Sequence, residues 1–127
     1  MTPEVEQAIA QIRTTFNGHR VQFEPEPQGG AYVVVDDLFL GDQYVPTTSW
    51  VGFLITFQYP RADVYPHFVD SQLRRANGGA HGAGFSGPVP WQSRLALQIS
   101  RRSNHLNPAI DTAATKLAKV IEWVKSQ

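Results

Sequence analysis

Two amphipathic helical stripes sit near the ends of this chain, and no series of crossover helices lies between them. In the first, Val5, Ala8, Ile9, Ile12 and Phe16 recur at helical spacing. Thr2 suits the N-cap, Pro3 the first helical position, and Glu4 and Glu6 the positive end of the dipole. Asn17-Gly18 stops it, so a helix is predicted over roughly 2–16. In the second, Asn107 reads as the cap and Pro108 as the first residue. Ile110, Ala113, Ala114, Leu117, Val120, Ile121 and Val124 form the stripe of a helix over 108–125, with Lys119 and Lys125 toward its negative end. Parallel strands need long crossovers, usually helical, between them. A doubly wound βαβ sheet is therefore excluded.

The intervening segments read as strands. His19–Phe23 alternates, and the Pro/Gly-rich stretch after it forces a turn. Ala31–Leu40 is rich in β-branched and aromatic residues and ends at the polar link 41–49. Trp50–Tyr59 carries Val51, Phe53, Ile55 and Phe57 on one face, and Pro60 and Pro66 bracket a short excursion before Phe68–Leu73, which reads as a shorter, final strand. Short links between consecutive strands favour an antiparallel meander of three to four strands. The fold class is α+β, and 127 residues with 42% hydrophobic content suit one domain over 1–127. Trp91–Ile99 fits a strand through Leu95, Leu97 and Ile99, or a helix through Trp91, Leu95 and Ile99.

Charge is balanced overall but not along the chain. Residues 1–63 carry eight acids and three bases, residues 64–127 three acids and eight bases, with Arg74-Arg75 and Arg101-Arg102 prominent. Solvated charge and pairing between the halves account for this, and Arg101 and Arg102 also suit an acidic protein partner. No aromatic-interleaved basic motif points to nucleic acid. No apolar run is long enough for a bilayer and no signal-peptide pattern opens the chain, so neither a membrane nor secretion is expected and the default is cytoplasmic. The absence of Cys removes disulfides, thiolate metal sites and a cysteine nucleophile.

Residues 77–90 hold five Gly and two Pro, which predicts a long irregular loop of the kind that carries function. Gly82-Ala83-Gly84-Phe85-Ser86-Gly87 spells a dinucleotide fingerprint, but Pro88 and Pro90 forbid the helix that would receive a pyrophosphate. No cofactor is expected. Ser86 and His81 are the nucleophile-capable side chains of the loop, and Phe85 and Trp91 its apolar anchors for a partner. His19, His67 and His105 read as surface or hydrogen-bonded imidazoles, and His81 as a solvated or functional one. No His pair has metal-ligand spacing, so no metal site is expected.

Further residues carry a resemblance. Phe57-Gln58-Tyr59-Pro60-Arg61-Ala62, Pro66-His67-Phe68-Val69-Asp70 and Leu73-Arg74 come first. Trp91-Gln92-Ser93-Arg94, Asn107-Pro108-Ala109-Ile110-Asp111, Leu117 and Trp123 extend it. Over roughly 30–125 the chain resembles the ubiquitin-conjugating-enzyme fold, and within it the prokaryotic ubiquitin-conjugating-like family E. The resemblance implies association with a ubiquitin-like modifier, an adenylating activating enzyme and a JAB-type isopeptidase. It does not bring the chemistry, because a conjugating enzyme carries its modifier on a cysteine after the fourth strand and this chain has none. The expectation is a catalytically inactive bacterial relative that binds partners. An acyl carrier or transferase using Ser86 or His81 is the alternative, and an unrelated α+β interaction or ligand-binding domain is a third.

Overall fold

The first helix forms where the sequence places it. In the computed structural model, which describes residues 1–127, α1 spans Pro3–Thr15. The Thr2 hydroxyl accepts the Val5 N–H at 3.1 Å. Val5, Ala8, Ile9 and Ile12 are buried, and Gly18 turns the chain away at φ +93°. The last helix starts later than its sequence suggests. α2 spans Ala113–Lys125, with Thr112 and Thr115 forming a reciprocal capping box. Asn107 instead closes an isolated turn: its side chain accepts the Ala109 N–H, and its own N–H donates to the Asp111 carboxylate. An Asn-Pro pair signals a turn as readily as a helix start, and here the turn wins. Ile110 consequently leaves the stripe and is 70% exposed.

Eight strands lie between the helices: β1 (Val21–Pro25), β2 (Ala31–Phe39), β3 (Tyr44–Val45), β4 (Thr48–Ile55), β5 (His67–Asp70), β6 (Arg74–Arg75), β7 (Phe85–Trp91) and β8 (Arg94–Ile99). The fold is α+β, as expected. The antiparallel meander β1-β2-β4-β5 continues into a six-stranded sheet of order β1-β2-β4-β5-β8-β7, and β3 pairs β6 in a separate ribbon. Every pairing is antiparallel. Two expectations need correction. Phe68–Leu73 is not the final strand, since β5 ends at Asp70 and two strands of the sheet follow it. The irregular loop also ends at Gly84 rather than Pro90, because 85–91 is the edge strand β7. Proline is tolerated on a sheet edge, where its missing N–H faces solvent. A register shift between Ser86 and Val89, with Gly87 at φ +122°, absorbs the irregularity. The ambiguous 91–99 segment resolves as the strand β8.

Both helices pack on one face of the sheet. Val33, Val35, Val51, Phe53, Ile55, Val69, Leu97 and Ile99 form a single buried cluster with Val5, Ile9 and Ile12 of α1 and Leu117, Val120 and Ile121 of α2. The other face presents Tyr32, Val34, Trp50, Leu54 and Phe68. The β7–β8 turn folds over it. Gln92 and Ser93 both have positive φ, 48° and 62°, the geometry of a type I′ hairpin, whose twist matches that of the flanking strands. The turn lays the Trp91 ring across Gly52, parallel to Phe68 at 5.0 Å and to Trp50 at 6.0 Å. Arg94 covers Trp50 from 4.8 Å.

Candidate functional site

The Gly-rich segment that crosses from β6 to β7 is held by an unbroken stack of rings. His81 lies parallel to Phe85 with centroids 4.7 Å apart and faces Tyr44 at 5.9 Å. Phe85 meets Trp123 of α2 at 5.3 Å. Arginines close both ends, Arg75 over Tyr44 at 5.5 Å and Arg101 over Trp123 at 4.7 Å. The Tyr44 hydroxyl donates to the Val124 carbonyl at 2.7 Å, which ties the stack to the end of α2. Burial pushes the Tyr44 phenol above its ordinary pKa, against the opposing charge of Arg75.

His81 is therefore not a freely solvated side chain. Its Nε2 lies 2.8 Å from the Leu73 carbonyl, which fixes the proton there, and its Nδ1 is buried without a partner. Beside it runs a groove of about 550 Å³, floored by Leu73 and Leu97 and walled by Arg74, Arg75 and Gly78-Gly79.

Ser86 does not join this arrangement. Strand alternation decides the matter: Phe85 pairs with Ile99 on the helix side, so Ser86, opposite Gln98, faces the other way. Its side chain is exposed, and no hydrogen bond links it to His81. A serine nucleophile works through a base within hydrogen-bond reach. The two nucleophile-capable side chains thus sit on opposite sides of the sheet, His81 against Phe85 and Ser86 on the other face.

The four residues expected to bind a partner spread over different surfaces. Phe85 and Arg101 belong to the ring stack, joined through Trp123. Trp91 lies on the outer face of the sheet. Arg102 turns toward Tyr65 and covers that ring at 4.1 Å.

A second polar cluster escaped the sequence reading. Lys116 is only 8% exposed and donates to both Asp63 oxygens, at 2.9 and 3.1 Å, and to the Ser103 hydroxyl oxygen at 2.8 Å. Ser103 returns its N–H and O–H to the same carboxylate. Burial raises the Asp63 carboxyl, but the Ser103 and Lys116 hydrogen bonds outweigh it and hold the pKa below the usual range. His67 needs correction as well. It is neither surface nor hydrogen-bonded: it is fully buried against Phe53, and neither ring nitrogen has a partner. Burial, helped by the Lys116 charge, lowers its pKa to about 3. A signal for the cluster existed, since Lys116 lies three residues after Ala113 and four before Val120, on the apolar stripe itself.

No group of three or more His, Cys, Asp or Glu side chains is placed to hold a metal ion, and no helix is long and apolar enough to cross a membrane. Comparison with family models, with curated proteins and with solved structures gives no match to this chain.

Proposed function

We propose that this chain is a non-catalytic, ubiquitin-conjugating-like component of a bacterial ubiquitin-like modification system. It binds the modifier or its adenylating activating enzyme and acts as a scaffold, with a JAB-type isopeptidase as a further partner. The observation that carries the reading is the content of the segment after the meander. Where a conjugating enzyme holds its thioester cysteine, this chain has no cysteine. Its His81 is pinned to the Leu73 carbonyl, and its Ser86 is turned to the opposite face. Support also comes from the order of elements: a helix, a four-stranded meander, the Tyr59-Pro60 turn after β4 and a closing helix. The reading implies a cytoplasmic protein, since modifier activation consumes ATP.

Intact mass spectrometry under denaturing conditions tests it. The protein is mixed with its modifier, the activating enzyme and ATP, and binding is followed in parallel by native mass spectrometry. The expected outcome is a complex that dissociates on denaturation, with no covalent adduct. A modifier-sized mass increase that disappears in Ser86→Ala overturns the reading in favour of an oxyester carrier. Loss of that adduct only in His81→Ala points instead to an imidazole intermediate or base.

A further inference from the structure

Arg101 and Arg102 carry charges that no carboxylate neutralises. Every ion pair in the structure uses a lysine, and neither arginine enters one. Both are nonetheless fixed, because each guanidinium lies over an aromatic ring, Trp123 for Arg101 and Tyr65 for Arg102. Stacking occupies the flat face of a guanidinium and leaves its in-plane N–H donors free. Two pre-oriented forks of donors therefore stand where β8 leaves the sheet.

They border a pocket of about 180 Å³ between residues 101–104 and α2. Lys116, buried and anchored to Asp63 and Ser103, also lines it, together with Lys119 and Asn104. Lys119 is only loosely paired, 4.0 Å from Asp111, with its side chain 73% exposed. Four cations thus face two carboxylates, Asp63 and Asp111, leaving a net charge of +2 around the pocket.

The geometry points to a binding site for a phosphate monoester in this pocket, held by Arg101, Arg102 and Lys119. A phosphate dianion matches the excess charge, and its three terminal oxygens accept from planar arginine forks better than a single carboxylate does. Size and stacking narrow the class. The pocket is smaller than the roughly 300–1,000 Å³ typical of sites for drug-sized ligands. The Trp123 ring already contacts Phe85 and Arg101, so it is not free to stack a nucleobase. The ligand is then a phosphate on a short tether: a small phosphorylated metabolite or a phosphorylated serine of a peptide. This site does not depend on the proposed role in modifier binding.

Trp123 is its natural reporter. In the ¹⁵N-labelled full chain, the three indole N–H resonances are assigned by the loss of one in Trp123→Phe, and phosphoserine is titrated at constant ionic strength. The expected result is a saturable shift of the Trp123 resonance with Trp50 and Trp91 unmoved. The double variant Arg101→Gln/Arg102→Gln should weaken binding by about tenfold or more. Unmoved Trp50 and Trp91 resonances in that variant show that the sheet is intact, and Lys119→Gln supplies an independent, milder loss. Two further probes separate the sources. Inorganic phosphate binding as tightly as phosphoserine identifies a small-molecule site, and tighter binding of a phosphoserine peptide than of its unphosphorylated form identifies a phosphorylated partner. A shift that never saturates, or that follows sodium chloride equally well, overturns the proposal. Unchanged affinity in the arginine double variant does so too.

Discussion

The two faces of the sheet are closed by different means. On the helix side, Val35, Val51, Ile55 and Ile99 meet the aliphatic stripes of α1 and α2, and the contact is spread over many interchangeable side chains. On the outer side a single indole does most of the covering: Trp91 spans Gly52 and lies against Phe68, Trp50 and Tyr32. The first closure depends on periodicity, which is local. The second depends on one two-residue turn, Gln92-Ser93, that carries a side chain from the edge of the sheet back over its middle. A distributed core fails where a void is opened in it. A face held by one ring fails when that ring is lifted.

The largest expected effect falls on the helix side. Leu117 is fully buried in the core cluster, so Leu117→Ala should cost about 2–5 kcal/mol in chemical denaturation, as large-to-small core changes do. A loss below roughly 1 kcal/mol would mean that the stripe is not a packed core, and the contrast between the faces would collapse.

Next comes His67, a fully buried polar side chain on that same face. The folded pKa of His67 is depressed to about 3 from 6.5, so on acidification the unfolded chain takes up the proton first. Stability held above pH 6.5 is therefore lost as pH falls toward about 3, with a slope approaching ~1.4 kcal/mol per pH unit within that window. Asp63, lowered from 3.8, adds its own loss only below that value. Denaturation midpoints between pH 7 and 4 should decline in the native chain and stay nearly flat in His67→Leu. Equal slopes in the two proteins would assign the acid sensitivity elsewhere.

The smallest effect belongs to the outer face. A methyl group on Gly52 would overlap the Trp91 ring, so Gly52→Ala should destabilise by about 1–3 kcal/mol. Because the severe overlap is with the movable Trp91 ring and the approach to Trp50 is milder, Trp91→Ala should suppress most of that cost in a double-mutant cycle. Strict additivity would show that the ring does not depend on the glycine.

The sequence was most legible where local signals agreed. Thr2, Pro3 and Gly18 marked α1 without competition, and the alternation of Val51, Phe53 and Ile55 identified β4. α2 was misplaced at its start because two cap signals competed, and the reciprocal pair Thr112 and Thr115 prevailed over Asn107. Strand β7 was hidden by its own composition: glycine and proline spell loop until pairing with β8 makes the segment a sheet edge. The candidate site suffered for the same reason. That His81 and Ser86 lie on opposite faces follows from the register of Phe85 with Ile99, which no local pattern contains. Lys116 and His67 were readable in principle, each occupying an inward position among apolar neighbours, but their polarity argued for the surface.

The order of strands has a consequence for how the chain is made. β8 lies between β5 and β7, although β7 is synthesised first. When β5 leaves the ribosome, its far edge waits while β6, the Gly-rich crossing and β7 emerge, and none of these is its partner in the sheet. The β7–β8 turn is local and forms quickly, whereas seating β8 against His67–Asp70 requires closing the longer loop before it. By loop length alone, the hairpin is expected to close before it docks on β5. Until it docks, the bare edge of β5 is the place where a nascent chain of this kind is most open to the wrong strand.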